Sequence, residues 1–174
     1  MLIPAEFSRP LTLDSVPPSG TRVRLEASTD ECRALAKRFD LVSLNRLGGE
    51  ISIAPVDLTR TIHVSGRVLA HVVQTCVVTF EPVAAEVRAD FDRLFSRDEP
   101  VEVDAEVEID IEAETPEPVF GDQLDLGEIL AEELSLALDP YPRAPDADQR
   151  LAEFSGDGND AAGPFEALAR LRRH

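Results

Sequence analysis

The clearest pattern in this chain is a two-residue alternation of apolar and polar side chains. It runs through 21–27, 61–74 and 83–95. In the middle segment one face carries Ile62, Val64, Gly66, Val68, Ala70 and Val72. Successive side chains of a strand point to opposite faces of a sheet, so each segment predicts a strand with one buried face. A glycine inside such a strand indicates a bulge or a close backbone approach at Gly66.

A glycine pair interrupts the next apolar region. Gly48 and Gly49 separate the short runs 41–47 and 50–54. Glycine readily takes the positive φ angles that a two-residue turn requires. The pattern therefore predicts a β-hairpin that turns at these two glycines.

Two segments have the apolar period of a helix and begin at a capping sequence. Ser28 and Glu31 fit a capping box, in which each side chain accepts a hydrogen bond from the other residue's backbone. An apolar stripe follows and predicts a helix near 29–40. Asp125 offers a second N-cap, before an amphipathic helix near 125–138.

Together these elements predict an α+β fold, a curled antiparallel sheet packed by two amphipathic helices with a flexible C-terminal tail. We expect one domain over 1–141. Residues 142–163 are rich in Pro, Asp, Gly and Ala, which favours a flexible linker. Residues 164–174 have the pattern of a short basic amphipathic helix.

The charge of the chain is unevenly distributed. The net charge is -17, from 34 Asp and Glu against 17 Lys and Arg. Residues 98–139 contain 16 acidic and no basic residues, and 98–123 form an acidic strand and loop in our interpretation. One face of the alternating segment 101–112 consists of Glu102, Asp104, Glu106, Glu108, Asp110 and Glu112. Such a face repels phosphates and favours a basic protein partner.

The last residues form a second candidate binding segment. They combine three apolar anchors with an arginine cluster, namely Phe165, Leu168, Leu171, Arg170, Arg172 and Arg173. Short amphipathic helices of this kind dock into grooves on other proteins. The pattern fits docking on a partner and docking on the chain's own domain equally well.

The candidates for catalysis and metal binding are weak. Neighbouring carboxylates on the acidic face lie about 6.6 Å apart in near-identical surroundings, whereas a catalytic pair needs different ones. His63 and His71 lie about 26 Å apart on an extended strand and cannot share an ion. Cys32 falls on an apolar helical stripe, and Cys76 lacks a second nearby thiolate. We therefore expect no catalytic residue, no metal and no cofactor.

Several classes of protein are disfavoured by composition. No apolar run approaches the roughly 18 residues of a membrane span, and the first residues lack the pattern of a signal peptide. Two cysteines are too few for a disulfide scaffold. We expect a cytoplasmic protein without membrane contact.

Several short motifs, in order along the chain, resemble the YceD family, the large ribosomal RNA subunit accumulation proteins. They are Arg9–Leu13, Val64–Val68 with Gly66, Cys76, Glu81–Val83 with Pro82, Asp125-Leu126-Gly127-Glu128, Glu132–Leu138, Pro140 and Pro164–Leu168. The resemblance implies a bacterial or plastid factor that supports accumulation of large-subunit ribosomal RNA, with no established catalytic constellation. Many members carry Cys-x-x-Cys after the long strand. This chain has Thr79 in the second position, so the resemblance does not extend to a metal site.

These observations favour a noncatalytic factor of large-subunit assembly in a bacterial cytoplasm. Its expected partner is a basic ribosomal protein or an rRNA-processing factor, with rRNA contact indirect and no small-molecule substrate. One alternative is a direct rRNA binder that uses the C-terminal arginines. A further alternative is a hydrolase that uses paired carboxylates or a Cys76–His71 pair.

Overall fold

A computed structural model describes residues 5–56, 61–97, 116–119 and 121–155. Its elements are β1 (Pro10–Thr12), a 3-10 turn (Leu13–Ser15), β2 (Thr21–Glu26), α1 (Thr29–Arg38), β3 (Ser43–Pro55), β4 (Thr61–Thr75), β5 (Pro82–Ser96), β6 (Glu117–Pro118), β7 (Gln123–Asp125), α2 (Leu126–Ala137) and α3 (Ala147–Ser155). This mixture of helices and sheets confirms the predicted α+β class.

The chain divides into two compact units. The first unit comprises the chain up to Gln74 together with Ala84–Pro140, and the second comprises Thr75–Val83 together with the chain from Tyr141 onward. The loop Thr75–Val83 thus belongs to the second unit, although it lies within the region 1–141 that the sequence predicts as one domain.

The first unit is built on a five-stranded sheet. The strand order is β2-β3-β4-β5-β6, and β1 pairs separately with β7. Both β2–β3 and β3–β4 are antiparallel, so that Arg24 lies opposite Glu50 and Glu50 lies opposite Arg67. The two residues of β6 add to β5 in parallel. The strands predicted over 21–27, 61–74 and 83–95 are therefore all present.

The hairpin predicted at Gly48 and Gly49 is wrong. Both glycines lie inside the continuous strand β3, and the only register shift in its pairing with β4 lies between Leu44 and Arg46. A Cβ on Gly49 would stand 2.5 Å from the Arg67 carbonyl oxygen and 2.8 Å from a methyl group of Leu130. These glycines allow a close approach of neighbouring backbone and side chains, not a turn.

One face of the sheet carries the core of the first unit. Fully buried side chains from β3 and β4 pack in one cluster with side chains from both helices, including Leu47, Ile51, Ile53, Val64, Val68, Leu35, Leu130 and Leu134. Burying each such side chain contributes about 1.5–3 kcal/mol. Gly66 lies in this sheet with Phe91 against it, where a Cβ would stand 2.8 Å from the ring. The close approach predicted at Gly66 is confirmed.

The helix α1 begins and ends at recognisable caps. The amide of Glu31 donates to the Ser28 hydroxyl at 3.3 Å, and the amide of Ser28 donates to the Glu31 carboxylate at 2.7 Å. This is the predicted capping box. After the helix, Asp40 takes a left-handed φ of 53°, and the amide of Leu41 donates to the Ala36 carbonyl at 2.8 Å. That bond is the six-residue closure of a Schellman motif.

The helix α2 begins at the predicted cap. The Asp125 carboxylate accepts from the amides of Gly127 at 3.0 Å and Glu128 at 3.2 Å. It also accepts from the amide of Arg9 at 2.7 Å, which ties the N-terminal strand to the helix. At 12 residues α2 is the longest described helix, and none of the helices in 5–56, 61–97, 116–119 and 121–155 is long and apolar enough to cross a membrane.

The structure differs from the sequence prediction over 142–163. Part of this segment forms α3, and Ala144 and Ala147 are buried beside Cys76 in the second unit. These two buried residues are alanines. Because the segment has no regular pattern of large apolar residues, its sequence did not indicate a packed helix. The acidic face over 101–112 and the terminal helix over 164–174 lie outside the described residues.

Candidate partner-binding site

The two predicted binding segments lie outside the part of the chain that the structure describes. All of the residues from Glu102 to Glu112 on the acidic face, and Phe165, Leu168, Leu171 and the three terminal arginines, lie outside the described residues. The described part of the acidic region comprises residues 116–119 and 121–139. It supplies the carboxylates of the candidate site.

These carboxylates surround one arginine of β5. Arg93 forms ion pairs with Glu117 at 2.5 Å, Glu132 at 2.7 Å and Glu133 at 3.5 Å. Its side chain is only 18% exposed, and its guanidinium lies 5.0 Å from the centre of the Phe95 ring. Hydrogen bonds to Glu117, opposed by burial, raise the pKa of Arg93 above its ordinary value. The arginine is therefore a fixed positive charge at the centre of the cluster.

The cluster holds more negative than positive charge. Burial raises the pKa of Glu133. The positive charge of Arg93 opposes this increase, and the negative charges of Glu132 and Glu117 add to it. The same residues line a shallow hollow of about 430 Å³, together with Ser135 and Leu136. Leu136 is 79% exposed at its edge. Three carboxylates around one guanidinium, next to an apolar side chain, can accept a lysine or arginine from another protein.

Sequence reasoning missed this cluster, although one signal could have found it. Arg93 occupies the same register as Phe91 and Phe95, on the apolar side of the alternation in β5. A charged side chain at such a position needs charged partners, because burying it alone is costly. Its position therefore points to carboxylates close by in the fold.

The opposite sheet face carries arginines, but carboxylates neutralise most of them. Their pairs include Arg22–Glu50 at 3.1 Å, Arg46–Glu26 at 3.1 Å and Arg67–Asp90 at 2.6 Å, around a hollow of about 480 Å³. The hydrogen bond with Arg67 lowers the pKa of Asp90. Among all described Lys and Arg residues, only Arg24 and Lys37 have no carboxylate partner. The described surface thus offers no free cluster of arginines.

The histidines of β4 have separate carboxylate neighbours. His63 Nε2 lies 2.7 Å from Asp92, and His71 Nε2 lies 3.9 Å from Glu86.

Cys32 is 3% exposed within the core, and burial raises the pKa of its thiol. These placements agree with the interpretation of Cys32 as a core residue.

Cys76 is the centre of a small hydrogen-bond network in the second unit. Its side chain is fully buried, and Sγ accepts from the amides of Ala144 at 3.2 Å, Thr79 at 3.3 Å and Val78 at 3.4 Å. Burial raises the pKa of this thiol, but the hydrogen bonds from Thr79, Ala144 and Val78 outweigh it and lower the pKa to about 7. The network fixes the loop between β4 and β5 to the segment before α3.

This network does not fit a metal ion. Thr79 follows Cys76 at the spacing of a second thiolate, so Cys76 is the single thiolate of this loop. A structural zinc site needs four side-chain ligands. Within the described ranges, no three His, Cys, Asp or Glu side chains are grouped to hold a metal ion.

The remaining motif residues lie at or near the ends of helices and strands. Leu126 is 2% exposed at the start of α2, where Asp125 is the N-cap. Pro82 is the first residue of β5, and Pro140 follows the end of α2. These placements show how the motifs build the fold.

The comparisons with known proteins assign the chain to a family. No curated protein and no solved structure matches it. One family model, described as "Large ribosomal RNA subunit accumulation protein YceD", matches residues 64–172, well over half of the 174 residues. The match covers β4 from Val64 onward, β5, the acidic region, α2 and α3. This chain therefore belongs to the YceD family, as its motifs indicated.

Proposed function

We propose that this protein supports the accumulation of large-subunit ribosomal RNA as a noncatalytic factor that binds a basic protein. The family description names the RNA whose accumulation is concerned. The observation that carries the proposal is the excess of carboxylates over arginines. Most of the described arginines already pair with a carboxylate of the chain. The partner is a basic ribosomal protein or an rRNA-processing factor.

Electrostatics favour a protein partner over direct contact with RNA. The described residues contain 21 Asp and Glu against 13 Lys and Arg. Binding to a phosphate backbone depends on free Lys and Arg side chains that displace its counterions. Because most described arginines already pair with carboxylates, contact with rRNA is indirect in this account.

Among the described residues, the cluster around Arg93 is the site that we propose for this partner. A cationic side chain of the partner would contact Glu132 and Glu133, and an apolar one would contact Leu136. The acidic face from Glu102 to Glu112 adds charge that attracts the same partner and accelerates encounter. The terminal segment with Phe165 and Arg170 would add a second, separate contact.

A noncatalytic role is supported by the surroundings of the reactive groups. His63 and His71 contact different carboxylates, and the sulfur of Cys76 is fully buried and accepts hydrogen bonds from backbone amides. A hydrolase would instead bring a nucleophile and a base within hydrogen-bond reach of each other. We place this role in the bacterial cytoplasm, without a small-molecule substrate.

The test is the ratio of large-subunit to small-subunit rRNA in cells that lack the gene. We expect this ratio to fall and to be restored by the wild-type chain. The variant Glu132→Gln/Glu133→Gln should restore it incompletely. The matched variant Glu26→Gln/Glu50→Gln, which changes two exposed carboxylates on the other sheet face, should restore it fully. An unchanged ratio after gene deletion would refute the proposal.

A further inference from the structure

The loop between β4 and β5 holds an aromatic residue in an unfavourable state. Phe80 has a left-handed φ of 58°, and its side chain is 80% exposed. A bulky residue rarely takes this conformation, because its Cβ crowds the backbone. The exposed ring buries little surface within the protein to offset that cost.

The surrounding contacts impose this conformation on the loop. The amide of Phe80 donates to the Cys76 carbonyl at 3.0 Å, and the amide of Cys76 donates to the Glu81 carbonyl at 2.8 Å. The Val77 amide donates to Pro142 at 2.9 Å, and Arg150 pairs with Glu81 at 2.7 Å. Local strain that persists because its surroundings over-determine it is typical of functional sites. The backbone of Phe80 is thus held in place, and its ring lies in solvent.

The second unit also exposes other large apolar side chains. Val77 is 46% exposed, Tyr141 is 72% exposed and Leu151 is 47% exposed. With Phe80, these make four of the seven large apolar residues that are exposed in the described ranges. Two of the four, Phe80 and Tyr141, are aromatic, and aromatic side chains are enriched at protein interfaces.

The charges of this unit indicate which kind of macromolecule binds there. An exposed aromatic ring can stack on an RNA base, but RNA also requires cations for its phosphates. The two described arginines of the unit are paired, Arg143 with Asp148 and Arg150 with both Glu81 and Asp146. Glu153 on α3 adds a further negative charge. The described part of the unit, with four acidic residues against two paired arginines, therefore favours a basic protein over RNA.

We propose that Phe80 anchors a docking surface on which a basic protein of the large ribosomal subunit buries this ring in an apolar pocket. This inference rests on the proposed function, since it takes the same class of partner, and it adds a second contact at a defined residue. Aromatic side chains are frequent energetic centres of interfaces, because only two side-chain torsions lose freedom when the ring is buried.

The test compares Phe80→Gly with Leu69→Ala in the full chain. Glycine tolerates the left-handed φ, so Phe80→Gly should melt at the same or a higher temperature than the wild type. The probe is the total protein of purified large ribosomal subunits, freed of RNA, with protein-free rRNA as a separate probe. Phe80→Gly should weaken binding to the protein probe about 30-fold. Leu69→Ala, which truncates a 41% exposed leucine in the first unit, should bind as the wild type does.

Four results would overturn the docking surface. They are unchanged affinity of Phe80→Gly, a lower melting temperature, loss of rRNA binding instead of protein binding, and loss of self-association instead of protein binding.

Complementation separates this inference from the proposed function. If gene deletion lowers the rRNA ratio and Phe80→Gly restores it fully, the docking surface fails and the function stands. If deletion leaves the ratio unchanged, the function fails.

Discussion

At the scale of single residues, a few charged side chains determine how segments distant in sequence are held together. Arg9 donates two hydrogen bonds to Glu31, at 2.7 and 3.0 Å, while Glu31 also closes the capping box with Ser28. The hydrogen bond from Arg9, opposed by burial and aided by Ser28, lowers the pKa of Glu31 from 4.5 to about 2. The ionised form of Glu31 thus stabilises the folded state.

Replacing this carboxylate should therefore have a pH-dependent effect on stability. A lowered pKa in the folded state contributes stability above pH 4.5 that is lost as the pH falls towards 2. We expect Glu31→Gln to cost about 1 kcal/mol at pH 7 in urea denaturation, and the difference from the wild type to shrink below pH 4.5. Asp30→Asn changes an exposed neighbour and should cost less than about 0.5 kcal/mol. A difference that is independent of pH would contradict the role of Glu31.

Cys76 offers a second test at this scale. Cys76→Ala removes the acceptor of three amides, so we expect a lower melting temperature and faster amide hydrogen exchange at Val78, Thr79 and Ala144. Because the folded pKa of about 7 lies below the ordinary value of 9.0, the stability difference should grow from pH 7 to pH 9. Cys32→Ala should leave exchange at these three amides unchanged. Slow exchange in Cys76→Ala would show that the sulfur does not hold the loop.

At the scale of elements, caps and close contacts decide where helices and strands run. The helix α1 ends with Asp40 in a left-handed conformation, which glycine adopts without strain. Asp40→Gly should therefore raise the free energy of unfolding by about 1 kcal/mol. Asp30→Gly makes the same change in the first turn of α1 and should lower it by up to about 1 kcal/mol. Destabilisation by Asp40→Gly would contradict the Schellman closure.

The glycines of β3 provide a test of the strand against the hairpin. A Cβ on Gly49 would clash with Arg67 and Leu130, so Gly49→Ala should cost about 2–3 kcal/mol in urea denaturation. Gly121 has a positive φ of 95° but no atom within 4 Å of such a Cβ. Gly121→Ala should therefore cost only about 1 kcal/mol. Equal costs at the two positions would contradict the close packing of α2 on β3.

The sequence predicted those elements whose signals are local. The capping box at Ser28 and the alternation in β4 are readable from neighbouring residues alone. The meaning of Gly48 and Gly49 depends on residues that approach from other strands and from α2, so the local preference for a turn was misleading. The same limit applies to α3, whose buried alanines pack on Cys76, and to Arg93, whose carboxylates come from β6 and α2.

At the scale of the whole molecule, the uneven charge is the main property that bears on function. Residues 98–139 contain 16 acidic residues and no basic ones, whereas most described arginines are paired. Self-repulsion within such a region is relieved when a basic partner binds. Exposed charge pairs are screened by salt, so binding that depends on them should weaken steeply as the ionic strength rises.

The most direct measurement is the affinity of the labelled full chain for two probes, RNA-free proteins of the large ribosomal subunit and protein-free large-subunit rRNA, at about 50 and 300 mM salt. We expect binding to the proteins that falls by at least about tenfold between the two salt concentrations, and no binding to rRNA. Binding to rRNA in preference to the proteins, or protein binding that salt does not weaken, would contradict it.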